Sequence, residues 1–393
     1  RQSEAGWYDG EKINKSRTRV DRLGYFEEVT VETPPVAGTT DQVDMEIKVK
    51  EKPTGNIMLG AGFSSSEKIT LSGSVSQQNL FGSGKHLSFQ ISTSKSNQIY
   101  SISHTDPYYT VDGVSRGFDA YIRNVDTSSL ATATYSTDSA GGGMRWGVPV
   151  GEDDYINFGL SFDRTTINTL GSDASAQAVV YVLQNGNTAN TVLTSIGWQK
   201  DGRDSVIFPT SGSLRKATAE LALPGSTVPY YRGSYQHLQF FPLNRKLTLA
   251  LNGEVAAGRG YSGKDMPFFK NYYAGGIGSV RGFESSSLGP QDPLSDGALG
   301  GDTRLVANAE LLFPLPGMGL DKSVRMGVFV DAGNVWNSNY GDKFSSGSLR
   351  YSAGLALSWN SPMGPLKFSY GNPFDTTDKD KIQRLQFQFG SSF

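Results

Sequence analysis

The residue types that usually do chemistry are sparse here and badly placed for it. The three histidines, His86, His104 and His237, are scattered, and none has a second histidine four residues away, as a metal pair on one helix face requires. Cysteine is absent, which removes disulfides, thiolate nucleophiles and Cys-type metal sites. Serine is plentiful, but no Gly-x-Ser-x-Gly elbow presents one as a nucleophile. The charged runs "GEDD" (151–154) and "TTDKDK" (376–381) fall at expected turns, where a solvated surface accounts for them. No phosphate loop is present, and a net charge of −2 supplies no field for nucleic acid. These features predict no enzyme, no metal, no cofactor and no nucleic-acid partner. One charged residue stands apart. Arg281 sits in "FFKNYYAGGIGSVRGFESSSLGP", a stretch of aromatics and glycines.

The elements that position this arginine are strands. A short N-terminal part comes first. Residues 9–23 read as a helix with Ile13, Val20 and Leu23 on one face and Gly24 at the C-terminal cap. The strands "YFEEVTVET" and "DQVDMEIKVK" follow, separated by the turn "TPPVAG". One helix and two strands are too few to bury a core alone. Arg1 stands in mid-pattern, so the chain reads as a piece trimmed from a longer protein. Residues 1–52 form this first unit, "EKPTG" (51–55) is the linker, and 53–393 form the second.

Beyond the linker, apolar and polar residues alternate again and again. "HLSFQIS", "INFGLSF", "KLTLALNGEVA", "RLVANAELLF" and "VRMGVFV" each carry one oily face and one polar face. About sixteen such segments of roughly ten residues occur, the length a tilted membrane strand needs. They begin near residues 55, 67, 84, 98, 115, 130, 154, 189, 212, 229, 246, 303, 323, 349, 363 and 383. No run approaches eighteen consecutive apolar residues, and mean hydropathy is −0.36. A window average erases a period of two, so that value does not exclude a membrane barrel. A soluble sandwich or propeller alternates too, but its strands are shorter and no propeller-length repeat is present.

Connections fall into two interleaved sets. Short, proline-marked turns ("DPYYTVDG", "VPVGEDD", "FPTSG", "FPLN", "FPLPGMGLDKS", "SPMGP") alternate with a set that includes the long polar segments 168–188, 259–302, 335–348 and 371–382. This asymmetry predicts an all-β membrane protein, a sixteen-stranded antiparallel transmembrane β-barrel in a bacterial outer membrane. The short turns and the small N-terminal α+β part then lie on the periplasmic side. The last strand, "LQFQFGSSF", turns Leu385, Phe387, Phe389 and Phe393 to lipid, with Phe393 in the periplasmic aromatic girdle.

Residues 259–302 are too long for a hairpin turn. Phe268, Phe269, Tyr272 and Tyr273 would be costly to leave in water, so the loop is expected to fold back into the lumen. Alternation independently places Glu310 and Asp331 on the luminal faces of their strands.

At "GGIGSVRGF" (275–283) the chain resembles BamA-type outer-membrane assembly factors. "GSGKHL", "DPYYTVDGVSRG", "FPTSGS", "VDAGNVW", "LRYSAGLALSW", "SPMGPLKFSY" and "IQRLQFQFGSSF" carry the same resemblance, which covers essentially the whole chain. It implies that residues 1–52 are the later part of the last periplasmic POTRA domain. It implies that Val280, Arg281, Gly282 and Phe283 form a loop motif whose arginine is tethered by Glu310 and Asp331. One such pair at about 4 Å attracts by roughly 4 kcal/mol before desolvation, and by about 1 kcal/mol if lumen water reaches it. It also implies a function, the folding and insertion of other β-barrel proteins. The partners would be unfolded outer-membrane clients, membrane lipids and accessory assembly lipoproteins at the periplasmic part.

The two strands that must close the barrel read as weak. Ile57, Leu59, Gly60 and Gly62 belong to the first, and Leu385, Phe387, Phe389, Gly390 and Phe393 to the last. Glycine packs nothing in a strand and invites a bend. A frayed seam would expose an edge to which a client strand could add. Two other functions share parts of this pattern: a secretion pore of the two-partner type and a passive porin.

Overall fold

The structure, a computed structural model, describes residues 2, 4–22, 24–151, 153–168, 174–293, 295–317, 323–361 and 364–390. Leu23, Glu152 and Phe393 lie outside them, as do parts of the segments 168–188, 313–323 and 361–365.

Helix α1 (Gly10–Arg22) starts where Asp9 accepts hydrogen bonds from the backbone N–H of Glu11 and Lys12, at 3.0 and 3.1 Å. It ends before Gly24, whose φ of 73° suits a residue without a Cβ. Strands β1 (Phe26–Glu32) and β2 (Glu46–Glu51) pair antiparallel. The chain then enters β3 (Gly55–Ser64) after three residues, so the connection is shorter than the linker read from sequence.

β3 opens a closed antiparallel barrel of sixteen strands. It continues through β4 (Lys68–Gln77), β5 (His86–Thr93), β6 (Asn97–Asp106), β7 (Ser115–Asp126) and β8 (Ser136–Pro149). Next come β9 (Asp154–Asn168), β10 (Thr188–Asp201), β11 (Gly212–Ala222), β12 (Tyr230–Pro242) and β13 (Thr248–Gly260). A two-residue strand, β14 (Gly282–Phe283), interrupts the long loop. β15 (Thr303–Pro314), β16 (Val324–Trp336), β17 (Arg350–Ser361) and β18 (Gly364–Phe374) return to the wall. β19 (Ile382–Gln383) pairs with β14, and β20 (Leu385–Phe389) closes the barrel.

The faces follow the period of two. Leu59 is 87 % exposed and Ile69, Ile122 and Leu385 are more than half exposed on the outer face, while Gln386, next to Leu385, is buried. An apolar outer band of this kind belongs in hydrocarbon, and away from the β3–β20 seam the ladder satisfies the backbone there. The buried clusters lie inside the barrel and at its long-loop rim, not on its outside.

Other boundaries differ from the sequence reading as well. The segment expected near residue 130 begins at Ser136, because residues 131–133 bond to the long loop instead: Ala133 N–H to Ala298 O at 2.8 Å, and Ala298 N–H to Ala131 O at 3.0 Å. The segment 168–188 contains a helix, α2 (Ala176–Asn185), capped by Ser175 and stopped at Gly186 with φ 80°. Its Ala178, Tyr181 and Val182 pack on Phe268 and Phe269, so tertiary contact stabilises a helix too short to stand alone. The long loop itself begins after Gly260 rather than at 259.

Candidate functional site

Two places on the molecule are unusual for a barrel: the loop seated in its lumen and the seam where it closes. The loop tip is built by close turns. Gly276 N–H bonds to Val280 O at 3.1 Å, and Ser279 Oγ accepts from Gly275 N–H at 2.8 Å. Asn308 on β15 donates to Ser279 O at 2.6 Å. Val280 and Phe283 are fully buried with Leu288, Val306 and Val335. These contacts aim Arg281 at the inner wall.

There Arg281 meets Asp331 with both oxygens engaged. Its Nε donates to Asp331 Oδ2 at 2.8 Å, its Nη2 to Oδ1 at 2.8 Å, and its backbone N–H to Oδ2 at 3.0 Å. Nη1 donates to Glu310 Oε2 at 2.8 Å, and the guanidinium lies 3.5 Å from the ring centroid of Phe329. Asp331 is 0 % and Arg281 8 % exposed, so this pair is buried, while Glu310 stays partly exposed to the lumen. Burial opposes the Arg281 charge, but hydrogen bonds and charge from Asp331 and Glu310 outweigh it and raise its pKa above the ordinary range. The planar fork is what lets one side chain serve three carboxylate oxygens.

Gly282 follows with φ 88°, and a side chain there would meet Gly371 O and Pro373 at 3.1 Å. A Cβ on Gly371 would in turn lie 2.8 Å from Gly282 N. Only glycine permits this approach of loop to wall. From there the loop bonds to the chain leading into the last strand. β14 pairs with β19, and Glu284 N–H donates to Lys381 O at 2.8 Å.

A second contact holds the aromatic end of the loop, and nothing in the sequence pointed to it. Arg232 on β12 bonds Glu220 on β11 with both arms, at 2.7 and 3.2 Å, and donates to Lys270 O at 3.0 Å. Lys270 Nζ lies 3.8 Å from Asp163 on β9, which also accepts from Tyr121 OH at 2.6 Å. Tyr272 OH donates to Gly233 O at 3.1 Å.

At the seam, β3 is fully paired on its other side with β4, from Gly55↔Gln77 to Ser64↔Lys68. Toward β20 the ladder among the described residues holds two pairs, Gln388↔Ser64 and Phe389↔Phe63. One further bond, Ser65 N–H to Phe387 O at 3.0 Å, lies beside them. β20 then meets Gly390, whose φ of 78° leaves the extended region, and Gly390 N–H turns to Pro365 O at 2.9 Å. Ile57, Leu59, Gly60 and Gly62 therefore lie on a strand whose seam edge, among the described residues, is paired at its far end. Leu385, Phe387 and Phe389 lie on the strand opposite.

Comparison with known proteins adds the context. Residues 79–393 match the Omp85 superfamily domain, and residues 1–52 match the POTRA model described as a surface antigen variable number repeat. The chain is 41 % identical over 429 residues to the outer membrane protein assembly factor BamA of Neisseria meningitidis serogroup B, covering 100 % of this chain and 54 % of that one. It thus spans about half the length of the curated BamA relatives it matches. Its fold superposes on the crystal structure of BamA from Haemophilus ducreyi lacking POTRA domains 1–3 with a TM-score of 0.90 and 32 % identity, covering 100 % of this chain and 80 % of that one. CdiB from Acinetobacter baumannii shares the fold at a TM-score of 0.58 and 15 % identity, covering 96 % and 68 %.

Proposed function

Because the chain belongs to the Omp85 superfamily, whose model matches most of it, we propose that it folds and inserts other β-barrel proteins into the bacterial outer membrane. The barrel sits in that membrane with the N-terminal part in the periplasm. The observation that carries the reading is the two-pair ladder between β3 and β20. A client strand adds to the under-paired edge of β3, and its backbone groups are satisfied within hydrocarbon as they form. Unfolded outer-membrane proteins are the clients, lipids are displaced at the seam, and accessory lipoproteins dock on the periplasmic part. Arg281, Asp331 and Glu310 act by holding the loop, not by making or breaking bonds in a substrate.

The test is a lock. The chain has no cysteine, so Ser64→Cys with Gln388→Cys places one disulfide across directly paired residues. In cells relying on the full-length protein, oxidation should stop client barrels from reaching their heat-resistant folded form, and reduction should restore it. Unimpaired assembly by the oxidised protein would overturn the reading. A conduit through the lumen, as a porin or secretion pore needs, is disfavoured by the seated loop.

A further inference from the structure

We infer that Gln386 is a positioning residue that couples the Arg281 loop to the seam, so that the seated loop keeps the last strand in pairing position. This rests on the seam reading above and adds to it the part that controls the seam.

Gln386 lies on the luminal face of β20 and is 1 % exposed. Its Nε2 donates to Phe283 O at 2.6 Å, and its Oε1 accepts from Gly282 N–H at 3.3 Å. Both partners are the residues directly after Arg281. The side chain thus clamps the peptide that the arginine cluster immobilises. The same loop holds the preceding residues through backbone bonds, β14 to β19 and Glu284 N–H to Lys381 O, and through the Gln291 side chain, whose Nε2 donates to Lys379 O at 2.5 Å. Residues 379–386 are therefore splinted from inside the lumen, two residues before the seam pair at Gln388. β20 has five paired residues on β18 and two on β3. With so little pairing on the seam side, a luminal splint is a large part of what fixes where this strand lies. Releasing the loop at Arg281 frees the splint, and freeing the splint lets the seam edge separate.

A plain alternative is that Gln386 is only a satisfied buried amide filling space. Two variants separate these. Gln386→Ala removes volume and both bonds, while Gln386→Met keeps the volume and loses both bonds. Each is combined with the Ser64→Cys/Gln388→Cys pair, and separately with Gln90→Cys/Ser101→Cys, a directly paired control on β5 and β6. Heat-modifiable gel mobility verifies that each barrel is folded. Loss of two buried neutral hydrogen bonds should slow disulfide formation across the seam about tenfold in both variants, with the control pair unchanged. A wild-type seam rate in Gln386→Met, or equal slowing at both pairs, would overturn the coupling. Client assembly is scored in the same strains without the cysteines. A slowed seam with unaltered assembly supports the coupling and counts against the seam as the site of assembly.

Discussion

Phe63 on β3 and Phe387 on β20 stack across the seam, with ring centroids 5.4 Å apart and planes 28° from parallel. Phe368 on β18 extends the row, 6.4 Å from Phe387. An aromatic pair contributes about 0.5–1.5 kcal/mol beyond its buried area, which is substantial beside a ladder of two residue pairs. Phe387→Ala should therefore broaden the distance distribution between spin labels on Ser64 and Gln388, with a new population at longer range. A distribution as narrow as in the parent would show that the backbone pairs alone hold the seam.

Arg281→Ala should release the loop tip. It leaves Asp331 buried without a counter-charge, a change that costs on the order of 3–5 kcal/mol when a buried pair is broken. Chymotrypsin should then cut after Phe283, which is 0 % exposed in the seated loop. Arg281→Lys keeps the charge but not the fork, so its cleavage rate should fall between the two. An unchanged digestion pattern in both variants would argue against the tether.

The aromatic end of the loop has its own reporter. Lys270 is a trypsin site protected by Arg232, whose guanidinium holds its carbonyl. Arg232→Ala should open cleavage after Lys270 while leaving Phe283 protected from chymotrypsin. Simultaneous exposure of both sites would mean that the two anchors release as one unit.

The short turn between β10 and β11 predicts a local pH dependence outside the membrane-spanning strands. Burial pushes the Asp204 carboxyl up, but hydrogen bonds from the Thr210 hydroxyl and from the backbone N–H groups of Thr210 and Ser211 prevail, lowering its pKa from an ordinary 3.8 to about 2. The turn is therefore held fully above pH ~4, and the hold is lost as pH falls toward 2. Amide exchange at Thr210 and Ser211 should accelerate across that window. In Asp204→Asn the same amides should show no such step, and a step that persists would assign the titration to another group.

Much of this was legible from sequence because the outer wall obeys one rule. Lipid outside and water inside impose a period of two, so the sixteen segments could be found and Glu310 and Asp331 placed on luminal faces. What the period could not report were contacts made by backbone atoms. Arg232 recognises the carbonyl of Lys270, and Gln386 recognises the peptide of Gly282 and Phe283; neither partner leaves a mark on residue identity. The strand starting near 130 and helix α2 were misread for a related reason. Ala131–Ala133 and the helix owe their shape to the long loop packed beside them, which is distant in sequence. The last strand is legible in its alternation through Phe389, yet at Gly390 the backbone leaves the extended region by a torsion that alternation does not encode.

Residues 131–133 zip to Ala298, and Asn337 Nδ2 bonds Gly300 O at 3.2 Å, so the loop is also fastened at the long-loop rim of the barrel. This fastened rim and the sparsely paired β3–β20 seam are thus separate parts of one molecule. On the seam mechanism proposed above, opening toward lipid leaves these rim bonds in place, and a strain whose rim is unzipped should betray itself first by sensitivity to bulky hydrophilic antibiotics.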